Sequence, residues 1–191
     1  MRHWSWVLLL VGLHAVAQKP ADVPSRGPMV APIINASENT VVNYTGAVPA
    51  AFNGALDADD STYHRALSCA ALSGVGTAVA YDTVTINNPT GSAANFVVTS
   101  TLPGGGACGD ANDTFFTLYN TTFNPASPLT NCLAVNDDIS GATNRCSSLS
   151  FSVPAGATRV LAVAGFNNAA TTGLFPYAIN FVGTAAACGT G

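Results

Sequence analysis

Charge is scarce in this chain. Asp, Glu, Lys and Arg together make up 8% of its 191 residues, and Glu38 is the sole glutamate. Six Lys and Arg residues and a net charge of -4 exclude nucleic acid as a partner, because phosphate recognition needs cations clustered on one face. Tryptophan stops at Trp4 and Trp6, and beyond His3 and His14 the only histidine is His64. No apolar run after the first residues is long enough to cross a bilayer, which takes roughly 20 residues in a helix. Neither a CxxC spacing nor a histidine close to a cysteine occurs, which excludes a zinc cluster. GxSxG is missing too, and Ser73–Gly74–Val75–Gly76 is followed by neither Lys nor a helical pattern, so it is a turn rather than a phosphate loop.

The N-terminus has the order of an export signal. Met1–Arg2–His3 begins positively charged, Trp4 to Val16 is largely apolar, and Ala15–Val16–Ala17 places small residues at a cleavage site. Residues 1–17 are therefore expected to be removed and the remainder to stay out of the membrane. Residues 18–39, with Pro20, Pro24, Pro28 and Pro32, show no periodicity and form a linker. Residues 40–191 are the expected domain.

An exported chain with five cysteines forms two disulfides and leaves one thiol. Cys132 and Cys146 flank one acidic loop and are the favoured pair, with Cys69–Cys108 second. Cys188 stays free or pairs with another chain.

From Thr40 onward, short runs of alternating apolar residues are separated by turn residues. Asp82–Ile86 alternates and stops at Asn87–Asn88–Pro89–Thr90–Gly91, and Asn95 to Thr101 alternates through Phe96 and Val98. Thr114 to Asn120 sets Phe116 and Leu118 on one face and Phe115 and Tyr119 on the other. Leu149, Phe151 and Val153 alternate with serines, and Arg159–Phe166 and Tyr177–Val182 complete the series. No window carries a helical apolar stripe without an interrupting Gly or Pro. The expectation is an all-β, jelly-roll-like antiparallel sandwich of about eight or nine strands.

Asp113–Thr114–Phe115–Phe116–Thr117–Leu118–Tyr119 is followed by Phe123–Asn124–Pro125–Ala126–Ser127–Pro128–Leu129–Thr130–Asn131. Ala134–Val135–Asn136–Asp137–Asp138 and Leu149–Ser150–Phe151–Ser152–Val153–Pro154–Ala155–Gly156 complete the set. In this order the chain resembles the bacterial pre-peptidase C-terminal-like (PPC-like) domains, over about Asn43–Val182 and most strongly over Asp113–Gly165. The resemblance implies a jelly-roll-like sandwich that binds or decorates rather than catalyses. It also implies that calcium, and fibrous or carbohydrate ligands, are among what such domains take.

The acidic loops are the candidate metal site. Asp110, Asp113, Asn136, Asp137 and Asp138 supply the oxygen donors that calcium prefers; the competing role is turn formation and strand capping. Asp57–Ala58–Asp59–Asp60 suits a solvated turn. Catalysis would have to use His64 or an aspartate pair, and nothing in the spacing singles out either. Sequons at Asn35, Asn43, Asn112 and Asn120 follow from an Asn- and Thr-rich composition. The lack of tryptophan after the signal, and tyrosines that alternation mostly sends to the core, weaken a sugar-stacking surface. The expected function is a secreted or cell-surface, non-enzymatic bacterial domain for adhesion or binding of an extracellular carbohydrate or protein, supported by calcium. The alternatives are a structural subunit of a surface layer or filament and, behind it, a small secreted hydrolase.

Overall fold

A computed structural model describes residues 39–46, 50–168 and 175–185. The expected signal, nearly all of the linker and Cys188 lie outside the described residues. The described chain is all-β with twelve strands, more than the eight or nine expected, and two single 3-10 turns at Asp110–Asn112 and Gly141–Thr143. None of its helices is long and apolar enough to span a membrane.

The strands are β1 (Thr40–Asn43), β2 (Ala50–Leu56), β3 (Thr62–Tyr63), β4 (Ala66–Ser68), β5 (Ala71–Leu72) and β6 (Val79–Asn87). They continue with β7 (Ala94–Thr101), β8 (Thr114–Asn120), β9 (Cys132–Asn136), β10 (Ser148–Val153), β11 (Thr158–Gly165) and β12 (Phe175–Ala185). One sheet runs β1-β6-β11-β8-β9, with β3 also on β6; the other runs β10-β7-β12-β2. β4 and β5 form a separate hairpin. The expected antiparallel order needs one correction: β1 pairs with β6 in parallel, Thr40 opposite Val84 through Asn43 opposite Asn87. Between them β2–β5 intervene, and this long excursion lets the chain re-enter the sheet in the same direction as β1.

Alternation builds the sandwich. Val84 and Ile86, Phe116 and Leu118, and Leu161 and Val163 of one sheet meet Phe96 and Val98, Leu149 and Val153, and Ile179 and Phe181 of the other in a single buried cluster. Burial of such side chains at roughly 25 cal/mol per Å² is the main stabilising term. The outer face of the first sheet is covered as well. Tyr119 of β8 and Phe123 of the β8–β9 connection, with Tyr63, Tyr81 and Val79, form two smaller clusters there. Tyr119 donates to the Pro128 carbonyl at 3.0 Å and so pins that connection.

Two glycines mark close approaches. A Cβ on Gly54 would stand 2.3 Å from the Tyr177 ring, whose hydroxyl donates to the buried Asp82 carboxylate. A Cβ on Gly76 would stand 2.5 Å from Nε of the fully buried Arg65.

The disulfides join the four expected cysteines but exchange their partners: Cys69 pairs with Cys132 and Cys108 with Cys146. Closeness along the chain misled here. Cys132 opens β9, which packs against β4 next to Cys69, while Cys146 lies beside the connection that leaves β7.

Candidate metal centre

Asp113 immediately precedes β8, and Asp137 and Asp138 immediately follow β9. These two strands are antiparallel neighbours, with Phe116 opposite Asn136, so pairing alone brings the start of one to the end of the other. Asp113 is held by its carbonyl, which accepts from the Phe166 amide at 2.8 Å, and the next amide, Thr114, bonds the Arg145 carbonyl. The Asp137–Asp138 segment is held from three sides. Ser147 Oγ donates to the Asp137 carbonyl at 2.7 Å, the Ile139 amide donates to the Cys146 carbonyl at 2.7 Å, and the Cys108–Cys146 disulfide closes the loop. Beneath them, Ser100, Thr114 and Ser147 form a buried hydroxyl network.

One carboxylate oxygen each from Asp113, Asp137 and Asp138 lies within 4.8 Å of the other two. Asp113 is only 6% exposed. Its Oδ1, together with Oδ1 of Asp137 and of Asp138, is buried without a hydrogen-bond partner among the described residues. Buried carboxylate oxygens without partners, on three aspartates this close together, are costly unless something positive satisfies them.

The neighbouring cations do so only in part. Arg145 divides its guanidinium between Asp110 at 2.7 Å and Asp113 Oδ2 at 3.1 Å. Arg65 lies 3.8 Å over the Phe115 ring and donates to the Phe166 and Ala66 carbonyls rather than to a carboxylate. Its Nη2 is buried and unpartnered. Burial pulls its pKa down, and the charge of Asp137 opposes that shift. Burial first, then the charges of Asp137 and Asp138, push the Asp113 carboxyl up to about 6, with Arg145 opposing. Asp137 is raised for the same reasons, burial ahead of the Asp138 charge. The triad could hold a metal ion, and its donors are all oxygen, the set that suits a hard cation.

The other two expected ligands, Asp110 and Asn136, make contacts of their own. Asp110, its side chain 88% exposed, forms the outer ion pair with Arg145. Asn136 Oδ1 accepts from the Ser148 amide at 2.7 Å and ties β9 to β10. Asp57–Asp60 is a self-capped turn, with the Asp57 amide on Asp60 Oδ2 and the Asp59 amide on Asp57 Oδ1. His64 Nε2 is 2.6 Å from the Ser73 carbonyl, which makes it a donor to the backbone. The residues that sequence reasoning passed over are Arg65 and Arg145. An arginine amid the strand-like run Thr62–Tyr63–His64–Arg65, in a chain so poor in charge, was the available signal.

Compared by sequence, the chain matches no protein-family model and no curated protein. Compared by structure, it is similar to the pre-peptidase C-terminal domain of collagenase from Bacillus anthracis, with a TM-score of 0.42 and 16% identity over 76% of this chain and 95% of that one. The fold resembles that of a pre-peptidase C-terminal domain. Also similar is PliG from Aeromonas hydrophila, a periplasmic inhibitor of g-type lysozyme, with a TM-score of 0.43 and 13% identity over 77% of this chain and 98% of that one. A third is CorA of Methylomicrobium album BG8, a surface-associated copper-binding protein, with a TM-score of 0.38 and 9% identity over 79% of this chain and 99% of that one. Likeness at this level says nothing of what this chain binds. Its own two disulfides belong to an oxidising, extracytoplasmic compartment.

Proposed function

We propose that this chain is a secreted, non-enzymatic β-sandwich for adhesion or ligand binding, in which calcium bound by Asp113, Asp137 and Asp138 orders one end of the fold. The observation that carries the metal half is the triad itself: three aspartates with one carboxylate oxygen each within 4.8 Å of the others, and on each of them a buried oxygen without a hydrogen-bond partner among the described residues. Calcium fits them better than magnesium. It accepts irregular arrangements of six to eight oxygens and keeps bound waters where protein donors run out, whereas magnesium holds to an octahedron. Thiolate-seeking metals find no ligand here, since the four described cysteines are spent in disulfides.

The binding half rests on what the fold does not do. His64 is committed to a backbone carbonyl, and the hydroxyls beside the triad, Ser147 and Thr114, are spent on one another and on backbone carbonyls. Isothermal titration of calcium into chelator-treated protein tests the metal half. Saturable binding at one site, lost in Asp137→Asn and in Asp113→Asn, is expected. Heat that titrates identically in both variants would sink the assignment.

A further inference from the structure

β10 ends the second sheet: it pairs with β7 on one side, and among the described residues no strand pairs with it on the other. Ser148 lies opposite Thr99, and just before the strand the Ser100 amide donates to the Ser147 carbonyl at 2.9 Å. Antiparallel partners alternate between hydrogen-bonded and non-hydrogen-bonded pairs. Leu149, Phe151 and Val153 therefore direct their N–H and C=O to β7, while those of Ser148, Ser150 and Ser152 point outward. The Ser148 amide is taken by Asn136 Oδ1 at 2.7 Å. The amides and carbonyls of the exposed Ser150 and Ser152 meet no partner among the described residues. We infer that this edge is a dimerisation surface, to which a second copy of the chain adds its own β10, antiparallel, across a two-fold axis at Phe151.

Sheet edges are ordinarily guarded by a charge, a proline, a bulge or a covering segment. β9, at an end of the first sheet, has a register shift against β8 and is tied through Cys132 to Cys69, between β4 and β5. β1, at the other end, is four residues long. β2, opposite β10 in the second sheet, is weakened by Gly54 in its interior. β10 has none of these guards. Its register with β7 is unbroken over Ser148–Val153, and no residue from Ser147 to Gly156 is charged.

The edge is also complementary to itself. Residues directly opposite share a face, so serine must meet serine and apolar must meet apolar. With the axis at Phe151, Ser150 faces Ser152 of the partner subunit and Leu149 faces Val153 of the partner subunit. A hydrogen-bonded pair exchanges both N–H···O bonds, and symmetry supplies the pair twice, so every outward group of Ser150 and Ser152 is used. An axis at Ser150 would set Ser152 against Ser148, whose amide Asn136 already holds. An axis at Ser152 would set Ser150 against Pro154, which has no N–H. Phe151, half-buried and stacked on Phe96 at 5.8 Å, meets its own copy in a non-hydrogen-bonded pair, where side chains approach most closely.

Like charge does not oppose this approach. The triad lies beyond the Ser148 end, where Ser147 Oγ holds the Asp137 carbonyl, and antiparallel pairing sends the two triads to opposite ends of the joint. One strand pair is far smaller than the roughly 800 Å² per partner of a standard interface, so the association is weak and concentration-dependent.

The test is sedimentation equilibrium of the chain as secreted, from micromolar to millimolar concentration. Every protein carries Cys188→Ser, so no disulfide can join copies, and chelator is present, so the calcium assignment plays no part. A reversible monomer–dimer equilibrium is expected. Ser150→Pro removes an outward N–H, and Ser150→Lys/Ser152→Lys sets lysines against each other twice; each should weaken dimerisation at least ten-fold. The lysine pair replaces exposed side chains and should leave the melting temperature unchanged, so the decision rests on it if proline disturbs the strand. Thr184→Lys, exposed on β12 of the same sheet, should leave the dimer intact. Monomer at every concentration, growth beyond a dimer, a dimer that survives the lysine pair, or one that Thr184→Lys disperses equally would each overturn the proposal.

Discussion

Replacing Asp113 with asparagine should strengthen the metal-free fold while abolishing its response to calcium. The Asp113 carboxyl stands at about 6 in the folded chain against 3.8 as the ordinary value, because burial and the charges of Asp137 and Asp138 disfavour its ionised form. Folding therefore binds its proton more tightly, and the contribution runs against the usual carboxylate. It is neutral below the unfolded value, turns unfavourable as the pH rises between the two, and is fully felt above 6. A gap of that size corresponds to about 3 kcal/mol, which water at the mouth of the pocket trims to on the order of 1–2 kcal/mol. Asparagine keeps the shape and an oxygen for Arg145 but removes the charge. In chelator at about pH 7.5, Asp113→Asn should melt roughly 3–8 °C above wild type, and at about pH 4 the two should coincide. Calorimetry across that pH range decides the matter. A variant less stable than wild type at neutral pH in chelator, or a gain that is equally large in acid, would refute the claim that repulsion among these carboxylates is held in the fold.

Other consequences follow from the packing. Non-reducing digestion should recover peptides joined through Cys69–Cys132 and Cys108–Cys146, and a Cys132–Cys146 peptide would contradict the topology. The bonds span 63 and 38 residues, so removing either should cost about 4 kcal/mol by loop entropy, read in denaturant titrations. Gly54→Ala forces a methyl into the Tyr177 ring and should cost about 1–3 kcal/mol, with no effect on calcium affinity. Arg65→Ala abandons two carbonyl bonds and the Phe115 stack; thermal unfolding should show a loss of about 3 kcal/mol or more.

How far the sequence carried depended on the reach of each signal. β8 was legible residue for residue, Thr114–Asn120, because large side chains stand on both of its faces and each has a cluster to enter. β10 and β11 were nearly as clear. β2, Ala-Ala-Phe-Asn-Gly-Ala-Leu, was not: its residues are small because Gly54 must make room for Tyr177 from the neighbouring strand. β3, β4 and β5 are too short to show any period. The parallel entry of β1 and the disulfide partners depend on which strands become neighbours, and that is decided by the whole core rather than by any window. At the site, Asp113, Asp137 and Asp138 were among the five candidates, while Asp110 and Asn136 have the same chemistry but different backbone neighbours. Local contacts set them apart: Asp110 pairs with Arg145 at the surface, and Asn136 caps the Ser148 amide.

The central claim is that a divalent cation completes the buried triad, and thermal unfolding tests it directly. Protein stripped with chelator should gain about 1.5–3 kcal/mol in about 10 mM calcium, given affinities usual for extracellular modules. That gain corresponds to a rise of roughly 3–10 °C, reversed by fresh chelator and missing in Asp137→Asn. A melting curve that calcium leaves in place, or that shifts equally in the variant, would contradict the account.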